Sequence, residues 1–294
     1  VSGRITEYGS GAAVSGARVT PEGGTAVTTD ASGNYRISGT TPATSNPYKV
    51  TVESSGHLTR EFYVQYRAGD RTGLDANVIR DAAPFSLGFY RQLVRDDYDK
   101  MTGSLELVWR LTESPKFYVR TVDQKGRAIE PEVLNVVLPA IRKAVGDWSN
   151  GVLSVQTLET GAETRERTDG WVVVNITRDY QSPYCGWAYV GSSRGEIELV
   201  DDRCACGSTK ISGTVVAHEV GHSMGFFHVD DSRNLMFPYV PGKCPPGNLS
   251  ANERYHSALA YSRTRGNADP DADHPSAYMA MPMDTGGPDI KIVN

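Results

Sequence analysis

The sequence predicts an α+β chain in two parts, and three observations carry that expectation. The first 80 residues hold only short alternating stretches separated by Gly, Ser, Thr and Asn clusters. The residues from about 115 onward alternate strand-like runs with long helical faces. Late in that half stands His218-Glu219-Val220-Gly221-His222-Ser223-Met224-Gly225-Phe226-Phe227-His228, which takes three of the chain's 6 histidines.

In residues 1–80, Ala17-Arg18-Val19-Thr20, Gly33-Asn34-Tyr35-Arg36-Ile37 and Tyr48-Lys49-Val50-Thr51-Val52 alternate as half-buried strands do. The run Thr28-Thr29-Asp30-Ala31-Ser32-Gly33-Asn34-Tyr35 is a hairpin turn. With Gly16-Ala17-Arg18-Val19 before it, this run resembles the carboxypeptidase regulatory-like, transthyretin-like β-sandwich. Asp30, Ser32 and Asn34 are read as turn-forming side chains, with calcium as the competing reading. Residues 81–114 are a connector whose Phe89, Leu93 and Val94 mark one short amphipathic helix packed on the second domain, a structural role.

Residues 115–266 form the second domain. Phe117-Tyr118-Val119-Arg120 opens it as a strand, and a helix follows Pro131 with Val133, Leu134, Val137, Leu138, Ile141, Val145 and Trp148 along one face and a bend at Pro139. Leu153-Ser154-Val155-Gln156, Trp171-Val172-Val173-Val174-Asn175-Ile176, Trp187-Ala188-Tyr189-Val190 and Glu196-Ile197-Glu198-Leu199-Val200 read as further strands. A helix over residues 212–226 carries the histidine motif, and a last helix starts at Ser250, where Ser250 and Glu253 make a capping box. Residues 267–294, rich in Pro, Gly and Asp, read as a tail; Asp269, Asp271 and Asp273 are taken as solvated acidic residues, with weak calcium binding as the alternative.

A length of 294 residues with 39% hydrophobic composition suits two ordinary cores. No apolar run nears the roughly 18 residues that span a bilayer, and the start at Val1 without a leader reads as a mature or trimmed product. A net charge of -5 with scattered basic residues argues against nucleic acid as partner.

His218 and His222 stand four positions apart and project from one helix face, where both reach a single metal. Glu219 lies beside them, placed to touch water on the metal. Gly225 can end the helix in the left-handed conformation and turn the chain so that His228 returns as a third ligand. Three protein ligands leave one tetrahedral position open, the mark of a catalytic zinc site. A lone helix histidine is usually a satisfied core-edge residue, but five fixed identities in one window arise by chance in roughly one such chain in 10^4 to 10^5. His57, His256 and His274 lack partners at ligand spacing and are read as ordinary residues.

Eight residues past His228, Asn234-Leu235-Met236-Phe237-Pro238-Tyr239 places Met236 as a Met-turn. Together these motifs resemble a metzincin metallopeptidase. The Met-turn spacing, Asp231 and Pro238 are most similar to matrixins, whereas Val229 stands where matrixins carry serine, so the subfamily stays open. The resemblance implies a five-stranded mixed sheet packed on two long helices, with residues 187–191 as an edge strand over the cleft. Ala188, Tyr189, Val190 and Gly191 would then bind extended peptide, and Pro238 and Tyr239 would wall a side-chain pocket. Met236 would form an apolar floor beneath the imidazoles.

The chemistry expected is that of a zinc-dependent endopeptidase. It hydrolyses peptide bonds through a zinc-bound water, with one catalytic Zn2+ and with Glu219 as general base and then acid. Calcium has no clear motif. The alternative is a catalytically weak secreted binding or adhesion protein that keeps the fold; the intact Glu219 argues against it, and a zinc hydrolase of nonpeptide amides is a third possibility. Cys185, Cys204, Cys206 and Cys244 suggest two disulfides and a secreted protein, with a Cys-x-Cys metal site as the competing reading. The partner is a protein or peptide substrate, and a monomer is favoured.

Overall fold

The computed structural model describes residues 1–38, 47–65, 73–100, 110–178, 184–201, 211–238, 246–267, 271–275 and 290–293. It divides into two compact units, one of Val1–Ser86 with Arg263–Met283 and the other of Leu87–Ser262 with Asp284–Asn294.

The first unit is all β. Its strands are β1 (Ser2–Glu7), β2 (Arg18–Pro21), β3 (Val27–Thr28), β4 (Asn34–Arg36), β5 (Tyr48–Glu53), β6 (Arg60–Val64) and β7 (Ala76–Val78), in a three-stranded sheet β4-β1-β7 and a four-stranded sheet β3-β2-β5-β6. Alternation decides which side chains go inward: Tyr48, Val50 and Val52 of β5 and Phe62 and Val64 of β6 join Ile5, Val19 and Tyr35 in one core. The turn expected after Thr29 forms, because Asp30 Oδ1 accepts from the backbone N–H groups of Ser32 and Asn34, both at 2.9 Å, but it is not a hairpin: β3 and β4 on its two sides belong to different sheets.

Two expectations fail in residues 267–294. Asp271 and Asp273 are buried in the first unit rather than solvated. Arg60 forks onto both oxygens of Asp273 at 2.8 Å, and Arg263 onto those of Asp271 at 2.8 and 3.0 Å. Bidentate guanidinium pairing lets carboxylates enter a core, which a count of polar residues cannot foresee. Asp269 lies outside the described residues. The second failure is a strand at residues 291–293.

The second unit runs α1 (Leu87–Arg95), β8 (Lys116–Arg120), α2 (Pro131–Trp148), β9 (Thr157–Gly161), β10 (Trp171–Thr177), β11 (Gly186–Tyr189), β12 (Arg194–Val200), α3 (Gly213–Met224), α4 (Ala251–Tyr261) and β13 (Lys291–Val293). Its sheet is mixed, in the order β13-β11-β12-β10-β8-β9. β10 lies between β12 and β8, parallel to both, and its Val172, Val173, Val174 and Ile176 are all buried, as the continuous apolar run of a central strand requires.

Among the described residues the expected five strands are six. β11 is not an edge, because β13 pairs with it antiparallel. The strand expected at Leu153-Gln156 forms instead at β9, which pairs with β8 from Thr157 onward. Pro139 sits on the exposed side of α2, and the helix continues through it.

Two packing contacts position the site. Trp148 at the end of α2 is fully buried, stacks on Phe226 at 4.7 Å and donates its indole N–H to the Ala217 carbonyl at 2.9 Å. A Cβ added to Gly221 would come within 2.9 Å of both Trp148 and the Met236 sulfur, so this glycine lets α2 and the Met236 loop close on α3. Among the described residues, no helix is long and apolar enough to cross a membrane.

Candidate metal centre

α3 is fixed at both ends by its own residues. Ser212 caps it by accepting from the Thr214 N–H at 3.2 Å. Gly225 ends it in the left-handed region at φ 111, its N–H donating to the His222 carbonyl at 2.8 Å while Phe226 N–H returns to Gly221 at 3.1 Å. That turn sends Phe226, Phe227 and His228 back past the helix.

Three imidazoles meet as a result. His218, His222 and His228 are buried, with ring centroids 4.8 to 5.3 Å apart, and their ligand atoms lie within 4.8 Å of one another. The Nδ1 of His218 donates to the Leu235 carbonyl at 2.6 Å, that of His222 to the Phe226 carbonyl at 2.7 Å and that of His228 to Asp99 Oδ2 at 2.7 Å. Carbonyl and carboxylate oxygens only accept, so each Nδ1 carries a hydrogen and Nε2 is the ring nitrogen left for a metal. The Nε2 atoms of His218 and His222 stand 3.1 Å apart. Two nitrogens about 2.05 Å from a tetrahedral zinc lie about 3.3 Å apart, so the donor set fits that ion in type and number and the His218–His222 pair fits it in spacing.

The surroundings hold this set in place. Val229 N–H donates to the Met236 carbonyl at 3.0 Å, and Met236 N–H donates to Glu253 Oε1 at 2.8 Å. Glu253 also accepts from Ser250 N–H at 2.7 Å, while Ser250 Oγ donates to Asn234 Oδ1 at 2.6 Å. The capping box of α4 is thus also the clamp on the Met236 loop. Burial pushes the Glu253 carboxyl above the usual carboxylate range, against the pull of the Ser250, Met236 and Leu235 backbone donors.

Glu219 is fully buried, with its carboxylate against β11. A Cβ on Gly186 would lie 2.6 Å from Glu219 Oε1 and 2.6 Å from the Glu198 carbonyl, so only glycine leaves that carboxylate its room. At the other end of β11, Gly191 N–H donates to the His222 carbonyl at 3.0 Å.

Residues 142–229 match the family described as Metallo-peptidase family M12B Reprolysin-like. The triad fits a metzincin. Residues 1–78 match the Carboxypeptidase regulatory-like domain. No curated protein matches the chain. The metallopeptidase match ends one residue past His228, so the metzincin reading of Met236 rests on the geometry given above. Match and histidine triad together support a zinc metallopeptidase domain.

Of the expected pocket residues, Ala188 and Val190 are buried, Tyr189 and Pro238 are half-buried, and Gly191 is joined to His222 by backbone. Tyr239, Cys204, Cys206 and Cys244 lie outside the described residues. Cys185 is fully buried. His256, read as ordinary, is buried against the rings of Phe89, Tyr90 and Tyr255.

Sequence reasoning missed Asp99, Gly186 and the second role of Glu253. The connector holding Asp99 carries only the pattern of a short amphipathic helix, and 129 positions separate Asp99 from His228, so spacing gives no signal. Glu253 was visible as a cap residue but not as a partner of Met236.

Proposed function

We propose that this chain is a secreted zinc endopeptidase in which Glu219 moves the proton. The observation that carries the reading is the convergence of three imidazoles whose Nδ1 atoms are each tied to an acceptor, a second layer of bonds that fixes tautomer and ring angle.

When bound there, zinc supplies polarisation of a carbonyl oxygen and acidification of water. The imidazoles hold the ion with their Nε2 lone pairs, while Leu235, Phe226 and Asp99 keep the rings from turning. Glu219 takes the proton of the attacking water and returns it to the departing amine nitrogen, so its carboxylate ends the cycle as it began. Burial of the three rings and of Met236 beneath α3 keeps bulk water from the ligand atoms.

The substrate is a protein or peptide, met by the backbone of Ala188, Tyr189, Val190 and Gly191 and by the half-buried Pro238. The even count of 4 cysteines, with Cys185 buried, is the support for an oxidising compartment and hence secretion. The test is cleavage of an unfolded protein by the purified chain. Hydrolysis abolished by a chelator and restored by zinc supports the reading; hydrolysis indifferent to the chelator, or none at all with zinc bound, contradicts it.

A further inference from the structure

β11 has a neighbour on each side. Towards β12 it pairs through Gly186, Trp187 and Ala188, and towards β13 through Trp187, Ala188 and Tyr189, opposite Val293, Ile292 and Lys291. The pairing extends one residue further, since Val190 N–H donates to the Ile290 carbonyl at 2.9 Å. Ile290 and Ile292, both buried, form a cluster with Val190 and Phe227, and Phe227 directly precedes the metal-ligand candidate His228. Between them Lys291 points its ammonium at the Trp187 ring, 3.6 Å from the centroid.

The strand so covered is the one that flanks the site, with Gly186 against Glu219 and Gly191 bonded to His222. An extended peptide that joins a sheet uses the free N–H and C=O groups of an edge strand. On β11 those groups are already taken by residues 290–293, antiparallel and extended. Two strands cannot hold the same row of donors and acceptors.

We propose that the segment Ile290–Val293 is a built-in competitor for the peptide-binding face of β11, a strap that must leave before an extended substrate can pair there. The inference rests on the peptidase reading. The strap also names the ligand chemistry of that face: an extended peptide with apolar side chains two positions apart, for the Val190 and Phe227 surface, and a basic residue between them for the Trp187 ring.

The strap is tested with the wild-type chain of residues 1–294 and its variants Ile292→Asp and Lys291→Glu. The probe is fluorescein-labelled Ile-Lys-Ile-Val, and its anisotropy is read in chelator so that binding is independent of metal. Both variants are expected to bind the probe at least tenfold more tightly than wild type. With zinc, both are expected to hydrolyse an unfolded protein several-fold faster, and unlabelled Ile-Lys-Ile-Val should inhibit them competitively.

Equal probe binding by folded variants and wild type overturns the strap. Hydrogen exchange on wild type needs no variant: the Val190 amide should open well below the cost of global unfolding, and exchange only by global unfolding would also overturn it. Tighter probe binding by the variants with no hydrolysis by any protein supports the strap and sinks the peptidase reading instead.

Discussion

Asp99 Oδ2 lies 2.7 Å from His228 Nδ1, which ties the connector before β8 to the imidazole returned by the turn at Gly225. The other two rings lean on backbone carbonyls, whereas His228 Nδ1 is held by a side chain, that of Asp99. Carboxylates in this position both orient the ring and raise its basicity. Asp99→Ala is expected to weaken zinc affinity by roughly 10- to 100-fold, measured by competition with a chromogenic chelator. Unchanged affinity would remove Asp99 from the site.

On the proposed reading, the contact between Gly186 and Glu219 would separate metal binding from proton transfer. A methyl group at 186 meets the Glu198 carbonyl and Glu219 Oε1, both at 2.6 Å, so both contacts must be relieved, and the Glu219 side chain yields more readily than the backbone. Gly186→Ala should keep one zinc per chain and lose activity by at least about tenfold, the cost of misplacing a catalytic group. A variant with full zinc and full kcat would show that Glu219 tolerates the shift.

Glu253 serves α4 and the Met236 loop at once, and its removal should show in both. Glu253→Ala forfeits a helix-cap bond and a bond from Met236 N–H, a stability loss of roughly 2–4 kcal/mol. Chemical denaturation should report that loss, together with weaker zinc binding through Leu235 and His218. A stability loss without any change in zinc affinity would confine Glu253 to its cap.

Much of this fold is legible in the sequence because periodicity and turn chemistry act locally. The Val172–Ile176 run, the Pro131 start of α2, the Ser212 and Gly225 ends of α3 and the Ser250 capping box each declare themselves within a few residues. The three histidines are legible for the same reason, since one helix and one turn bring them together.

What is not legible depends on partners far along the chain. Asp271 and Asp273 look like a solvated tail until Arg60 and Arg263 are seen to pair with them. Residues 290–293 carry an alternation too short to distinguish from a loop, and only the bare flank of β11 turns them into a strand. Asp99 sits in a stretch with no metal-ligand spacing.

The turn after β8 predicts a pH dependence. Burial raises the Asp123 carboxyl, but hydrogen bonds from Arg127 N–H, the Arg127 guanidinium and Lys125 N–H outweigh it and lower the pKa to about 2. A depressed carboxylate stabilises the fold above its unfolded pKa of roughly 4, and that contribution drains away as pH falls towards about 2. The Tm of Asp123→Asn should therefore lie below that of wild type by a constant amount above about pH 5 and converge with it below pH 4. A difference independent of pH would assign the role to packing.

The most direct measurement is zinc content and hydrolysis on the same samples of wild type and Glu219→Gln. The account predicts one zinc per chain in both, with kcat/KM for an unfolded protein lower in the variant by about 10²-fold or more. A Glu219→Gln protein that cleaves at the wild-type rate, or a wild-type chain that takes up no metal, would contradict it.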